Sequence, residues 1–591
     1  MVASSLLRVV CHRSRNVLAA LTVFAAAVPV PGSLAAQRGN SSPARPAAGP
    51  AVVELRIAAT TDIHGRVRGW DYFGDSTESG RGMARVATIV DSLRAAHPAG
   101  TILVDAGDFM QGNALTFVAS RPGFAGTHPV IAAMNALKYD AVVLGNHEFN
   151  YGIATLDRTL APAKFPVLAA NARRTDGKKQ WAPATHITRG GVRIAIVGVT
   201  TPWAMVWDRD LLKDKVVIDD IVTATRRSVA DARRRGADVV VVVGHSGMGA
   251  ATDDSLPGIP PENAMAAVAR DVPGIDLIVV GHTHRELADT TINGVLLMQP
   301  RNWATSVAVA ALRVERVGQS WRITSKRGSI VRAGGHVEKP AVLTLAESGH
   351  NAARRYVNEV IGTTATEWRT DSARTMDMPI IDFIGETMRR ATGADLASTA
   401  VFSTNIRFAP GNISVARLAQ LYPYDNTIRV LRFTGDRLKA YLEQSARYFR
   451  VTGSGATMRA APDPAFIGFN FEVVTGAEYA IDLSRAPGDR ITGLTVRGKP
   501  VTPTDSFTIA LTNYRASGTG GYGMITGAPI VKDDGRDIRQ LLIDEVSRLK
   551  ELRAGDFYTQ SWRVVPAALA AQAQAAIGGQ PDFDAVRRPP L

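Results

Sequence analysis

Between residues 52 and 284 six apolar stretches recur, VVELRIAAT, TILVDAG, AVVLGNH, VRIAIVGV, DVVVVVGH and DLIVVGH, interleaved with segments of helical period such as Ala84 to His97 and Ile218 to Arg235. Valine-rich runs without polar alternation are strands buried on both faces, which predicts a mostly parallel sheet covered by helices. Five segments then run straight into side chains of one chemical kind: Asp62 and His64, Asp108, Asn146 and His147, His245, and His282 and His284. Sheets of this class collect their ligands at the carboxyl ends of their strands. Five such ends bearing imidazole, carboxylate and amide groups therefore predict a single metal-binding locus.

The spacing supports that reading in detail. Residues two apart in extended backbone project to the same side, so Asp62 with His64, and His282 with His284, can each close on one ion. Asp108 follows Gly107 at the end of a buried strand, and one carboxylate can bridge two cations. Asp105, earlier on that strand, is its rival or a residue that orients its neighbours. Asn146 offers a carbonyl oxygen, which leaves His147 for proton chemistry. His97, His128, His186, His336 and His350 lack such a setting and read as structural.

A chain of 591 residues is too long for one core at ordinary domain size, so two domains are expected. Residues 1–35 have the form of an export signal: Arg8, Arg13 and Arg15 precede an apolar run from Val17 to Val30 and the small residues Ser33 and Ala35, with cleavage expected after Ala35. Cys11, the only cysteine, lies in that segment, so the mature chain has neither disulfides nor a thiolate site. The formal net charge of +14 falls by those three arginines to +11, a balance that favours anionic substrates. The basic residues are scattered, so no nucleic-acid polymer is expected as partner, and no other apolar run is long enough for a membrane anchor. A Pro-, Ala- and Ser-rich leader is expected at 36–51, a catalytic domain at 52–340, and a linking helix at 341–360. A strand-rich second domain follows at 361–565, and a flexible Ala- and Gln-rich tail at 566–591.

The motifs TTDIHG, DAGDFMQG, GNHEFNYG, GHSG and GHTH resemble those of the calcineurin-like metallophosphoesterases, in the exported nucleotidase family that carries a C-terminal substrate-binding domain. The resemblance covers nearly the whole mature chain. It implies an α/β, two-domain architecture, with an N-terminal four-layer αββα sandwich and a nucleotidase-type C-terminal domain. It also implies two divalent ions (Mn, Zn, Fe or Co), one on Asp62, His64, Asp108 and His284, the other on Asp108, Asn146, His245 and His282.

Specificity is expected from departures within the family. The 5'-nucleotidases typically follow the GNHE motif with Phe-Asp, the acid orienting the histidine, whereas this chain has Asn150. GNHEFNYG, together with DYFGD and the serine of GHSG, resembles the bifunctional 2',3'-cyclic-nucleotide 2'-phosphodiesterase/3'-nucleotidases. By the same resemblance Tyr424 and Tyr514 match positions that sandwich a nucleobase, and Arg374 and Arg407 match arginines that reach the phosphate. The glycine-rich turn Ser517–Gly521 lacks the acid that holds ribose in the 5'-nucleotidases. The expected activity is thus opening of 2',3'-cyclic nucleotides followed by dephosphorylation of 3'-nucleotides, with His147 and Asn150 as catalytic residues. A 5'-nucleotidase or nucleotide-sugar hydrolase, and a nucleotide-binding protein without chemistry, are the rivals.

Overall fold

In the N-terminal domain two six-stranded sheets lie against each other. The first runs in the order Ser320–Arg332, Ser306–Val317, Val52–Thr60, Thr101–Asp105, Ala141–Val143 and Val167–Leu168. The second runs Leu287–Ile292, Val295–Gln299, Leu277–Val280, Val239–His245, Val192–Thr200 and Ala184–Arg189. The central strands are parallel; antiparallel strands close both edges of the second sheet and one edge of the first, whose other edge, Val167–Leu168, stays parallel. The computed structural model describes residues 51–249, 258–424 and 426–578. The expected signal segment and most of the leader lie outside the described residues.

The layers follow from side-chain parity. Along Val239–Val243 the odd residues 239, 241 and 243 enter the core between the sheets, and Val240 and Val242 enter a second core. That second core packs beneath the helices Ile221–Arg234 and Met265–Asp271. In the first sheet Ile57, Ala59, Ile102 and Val104 face the neighbouring sheet, while Ala58 and Leu103 face a helical layer. Each fully buried valine or isoleucine contributes about 1.5–3 kcal/mol. A run of five valines thus stabilises two interfaces at once, and the result is the expected αββα sandwich. The amphipathic segment expected from Ile218 begins its helix at Ile221, because the Asp220 side chain caps Thr223 N at 2.7 Å and residues 216–218 pair as a strand with 172–174.

The helix Pro340–Val357, expected as a bridge between domains, lies on the N-terminal domain. Val342, Ala346, Ala353 and Val357 sink into the helical layer of the first sheet. Gly349 fits there because a Cβ would meet Pro129 Cγ at 2.7 Å. Val357 is still buried with that layer, whereas Ile361, on the next strand Val360–Thr364, is buried with the C-terminal core. The C-terminal domain holds a five-stranded sheet, ordered Glu472–Thr475, Leu396–Ala400, Ser506–Thr512, Thr427–Thr434, Ile530–Asp537, and a four-stranded sheet, all around one core. The tail expected from residue 566 is corrected in its first half. The helix Ala567–Gly578 seats Leu569, Ala573 and Ile577 in that core, an apolar spacing of four that the alanine-rich composition concealed. Residues 579–591 lie outside the described residues.

Candidate metal centre

All the strand-end residues converge. Two clusters could each hold an ion: Asp62, His64 and His284, and Asp108, His245 and His282. The turns that present them are tightly bonded: Asp62 N donates to Gly107 O at 2.8 Å, His64 N to Asp108 O at 2.9 Å, and Trp303 N to Asp62 O at 2.7 Å. Gly145 is required beside them, since a Cβ there would sit 2.1 Å from Asp108 Oδ1.

Each imidazole is oriented from behind. His64 Nδ1 donates to Gln111 O at 2.6 Å and His245 Nδ1 to Ala106 O at 2.7 Å, so both turn Nε2 inward. His282 is held by its other nitrogen, Nε2, against Glu262 Oε1 at 2.7 Å, which leaves Nδ1 for the cluster. Such bonds fix the tautomer and strengthen the ligand. Inside, His64 Nε2 and His284 Nε2 are 3.0 Å apart and Asp62 Oδ1 is 3.4 Å from His284 Nε2. In the second group His245 Nε2 lies 3.0 Å from Asp108 Oδ2 and 3.1 Å from Asn146 Oδ1. Ligands at about 2.0–2.1 Å on a tetrahedral ion stand roughly 3.3 Å from one another, so these separations fit shared cations. Asp62 Oδ1, fully buried, has no hydrogen-bond partner, a lone pair that a cation would take up.

The charges are set for binding. Burial works to raise Asp62, but His284 holds it down at about 2; burial also opposes ionisation of Asp108, which His245 and His147 keep well below the carboxylate range. Burial and the neighbouring His284 push His64 down to about 3, so it is a neutral donor. Asp105 accepts from Thr60 Oγ1 and Gly107 N, at 2.7 and 2.9 Å, and so orients the turn.

Glu148 is a residue whose part sequence reasoning did not assign. Its fully buried carboxylate accepts four backbone N–H groups: Asp108 and Gly145 on Oε2 at 2.8 and 2.6 Å, Phe109 and Met110 on Oε1 at 2.8 and 3.0 Å. It fastens the Asp108 turn to the Asn146 turn. Its signal was the acid embedded in GNHEFNYG. Asp208 was missed as well, and nothing around it in the sequence marks it. His147 Nδ1 meets Asn150 Oδ1 at 2.5 Å, and Asn150 Nδ2 lies 3.0 and 2.9 Å from the two oxygens of Asp208. The carboxylate expected to be missing beside His147 thus stands one residue further back. Burial pushes Asp208 up to about 6, with Asn150, His147 and Arg429 opposing.

The four C-terminal candidates are not brought into this cluster. Tyr424 is partly exposed and packs edge-on against Phe402 at 5.1 Å, and the guanidinium of Arg515 sits 5.5 Å from the Tyr514 ring. Arg374 is buried, donating to Val401 O at 2.9 Å, and Arg407 pairs with Glu367 at an exposed edge. Their domain reaches the metal-site domain elsewhere: Asn513 Nδ2 donates to Trp207 O at 3.0 Å, and the Trp207 ring lies 5.7 Å from that of His282.

Comparison with known proteins fits this geometry. Residues 55–286 match the calcineurin-like phosphoesterase model, and residues 360–527 match the 5'-nucleotidase C-terminal domain model. The chain belongs to the calcineurin-like phosphoesterases that carry a 5'-nucleotidase C-terminal domain. This phosphoesterase is 30% identical, over 87% of its length, to a trifunctional nucleotide phosphoesterase of Bacillus subtilis, of which it spans 39%. It is 29% identical to the 2',3'-cyclic-nucleotide 2'-phosphodiesterase/3'-nucleotidase of Salmonella typhimurium, over 87% of this chain and 89% of that one. In fold it is similar to a 5'-nucleotidase precursor of Thermus thermophilus, with a TM-score of 0.58 at 22% identity, covering 87% and 99% of the two chains. No helix among the described residues is long and apolar enough to cross a membrane.

Proposed function

We propose that this phosphoesterase opens 2',3'-cyclic nucleotides to 3'-nucleotides and hydrolyses these to nucleoside and phosphate. The observation that carries the reading is the convergence of seven strand-end side chains beside a histidine whose partner is the Asn150 amide, in a chain whose relatives include cyclic phosphodiesterase/3'-nucleotidases. Asp62, His64, Asp108 and His284 would hold one divalent ion, and Asp108, Asn146, His245 and His282 the other. A pair of such ions supplies Lewis acidity and lowers the pKa of water, so that hydrolysis needs no protein nucleophile.

The chain's own residues do the rest. His147 Nδ1 is tied to Asn150, which turns Nε2 toward the cluster, 3.9 Å from Asp108 Oδ2. From there it stabilises charge on the phosphoryl oxygens or gives its proton to the departing ribose oxygen. In the cyclic diester the bond to the 2' oxygen breaks; in the second reaction the bond to the 3' oxygen does. Tyr424 and Tyr514 would stack on the base, a contact tolerant of base identity. The phosphate contacts expected of Arg374 and Arg407 are part of the same proposal, and alanine at either position raises KM if they are made.

Export to the periplasm or medium is proposed from the first 35 residues, and mass spectrometry of the native protein tests it by an N-terminus at Ala36. The decisive experiment compares turnover of 2',3'-cyclic AMP, 3'-AMP and 5'-AMP after chelation and add-back of Mn, Zn, Fe or Co. A preference for 5'-AMP overturns the substrate assignment. Phosphate release that ignores chelation overturns the metal assignment.

A further inference from the structure

His147 stands at the centre without being a candidate ligand, and its ring orientation depends on an amide that could point either way. An amide flip is decided by its other neighbour. Asn150 has a carboxylate on that side: both oxygens of Asp208 lie within 3.0 Å of Nδ2. A carboxylate only accepts, so the NH2 must face Asp208 and the carbonyl must face His147. His147 Nδ1 must then carry a hydrogen, and Nε2 is the nitrogen turned toward Asp108.

Asp208 is itself held on every side. It is 7% exposed. It ends the helix Ala204–Trp207 and starts Arg209–Leu212, with its N–H donating to Ala204 O at 2.9 Å and its carbonyl accepting from Leu211 and Leu212 N at 3.0 Å. The same segment is gripped by the C-terminal domain: Asn513 donates to Trp207 O, Arg429 Nη1 to Val206 O at 3.4 Å, and Arg429 Nη2 stands 3.7 Å from Asp210 Oδ2. The Trp207 ring lies against His282.

We infer that Asp208 is the positioning residue for His147, acting through Asn150, so that a His–Asn–Asp chain sets its tautomer and ring orientation. The carboxylate that would otherwise follow the histidine motif directly is supplied from a segment docked on the substrate-binding domain, with the Asn150 amide as its relay. This inference rests on the phosphoesterase reading of the site but not on the preference among cyclic, 3'- and 5'-phosphates.

The test is a reciprocal exchange. Asp208→Asn frees the Asn150 amide to flip, and kcat falls by about 10–100-fold, with KM and bound metal within about twofold of the parent. Asn150→Asp alone sets two carboxylates in contact, and kcat falls likewise. In the double variant Asn150→Asp/Asp208→Asn an acid accepts directly from His147 Nδ1–H while the new amide donates to it from behind, and kcat recovers above both singles. A merely structural Asp208 would lower stability and would not be rescued by a second change at Asn150. Should Asp208→Asn fail to fold, Asp208→Glu, which keeps the charge and displaces it by one methylene, takes its place with the same expected fall. A single variant with parental kcat, or a double variant no better than the poorer single, overturns the inference. Ratios are taken on whichever phosphate ester the parent turns over fastest, so failure here is distinct from failure of the substrate assignment, which the parent enzyme alone decides.

Discussion

Glu148→Gln is the change whose cost can be worked most directly from the structure. The four N–H groups around the carboxylate are paired by oxygen, Asp108 and Gly145 on one, Phe109 and Met110 on the other. A glutamine amide fits the same volume but replaces one oxygen by NH2, and either orientation sets that donor against two N–H groups. A buried donor left unpaired costs about 1–3 kcal/mol, so the pair costs about 2–6 kcal/mol. For a domain of this size each kcal/mol moves Tm by about 2–4 °C, and a fall of roughly 10 °C is expected. The strain falls on the turn that aims Asp108, so retention of metal at that carboxylate should weaken by about 10–100-fold. Differential scanning fluorimetry on the metal-loaded protein reads the first quantity, and metal analysis after graded dialysis the second. A variant that melts within 2 °C of the parent and keeps its metal would falsify the role assigned to Glu148.

Three further outcomes are expected. His147→Ala lowers kcat by about 100–10,000-fold while metal content stays unchanged, because the bond to Asp108 Oδ1 at 2.8 Å comes from the His147 backbone N–H and survives the change; lost metal, or kept turnover, refutes it. Asp382, buried and beside Asp377, has its pKa pushed up to about 8, so its neutral form is favoured in the fold. The stability this contributes is complete below about pH 4 and is lost as pH rises through 8. Asp382→Asn should therefore melt above the parent at pH 9 by a margin that narrows toward pH 5, and a margin independent of pH refutes the assignment. Arg515 pairs with Glu472 at 2.8 Å with both side chains buried, so Arg515→Met strands a carboxylate and costs about 3–5 kcal/mol in urea unfolding of the C-terminal domain. Arg515→Met/Glu472→Leu should recover most of that loss, and a double variant as unstable as the single counts against the pair.

The strands were legible because burial on both faces leaves a strong mark: five consecutive valines admit few other readings, and the inter-sheet core alternates as that burial requires. The convergence of the candidate side chains was legible because their positions, at the ends of those strands, are fixed by the sheet itself. The helix Ala567–Gly578 was not, because a helix that buries one side through Leu569, Ala573 and Ile577 among alanines has almost no amphipathic contrast. The location of Pro340–Val357 was not legible either, since helical spacing says which face is apolar but not which domain receives it. Asp208 and Glu262 were invisible for a different reason. Each acts on a residue 58 or 20 positions away through a contact that only the fold creates.

Backbone conformation is the deepest layer the sequence withholds. Asp62, His64, Asp108, His282 and His284 all have left-handed backbone, with φ of 49°, 47°, 58°, 76° and 55°. Side chains other than glycine pay about 1–3 kcal/mol each for such geometry, and it persists only where surrounding bonds over-determine it. Here they do: Asp62 and His64 are pinned to Gly107 and Asp108 by backbone hydrogen bonds, and Glu148 binds the Asp108 turn from the other side. Glycine would relieve the strain at each position, yet glycine has no ligand atom. Conformational preference therefore conflicts with the chemistry of the side chain at five of the seven strand-end candidates, and the side chain prevails. That is why Asp-x-His and His-x-His, read as extended pairs whose side chains share a side, converge through tight turns instead.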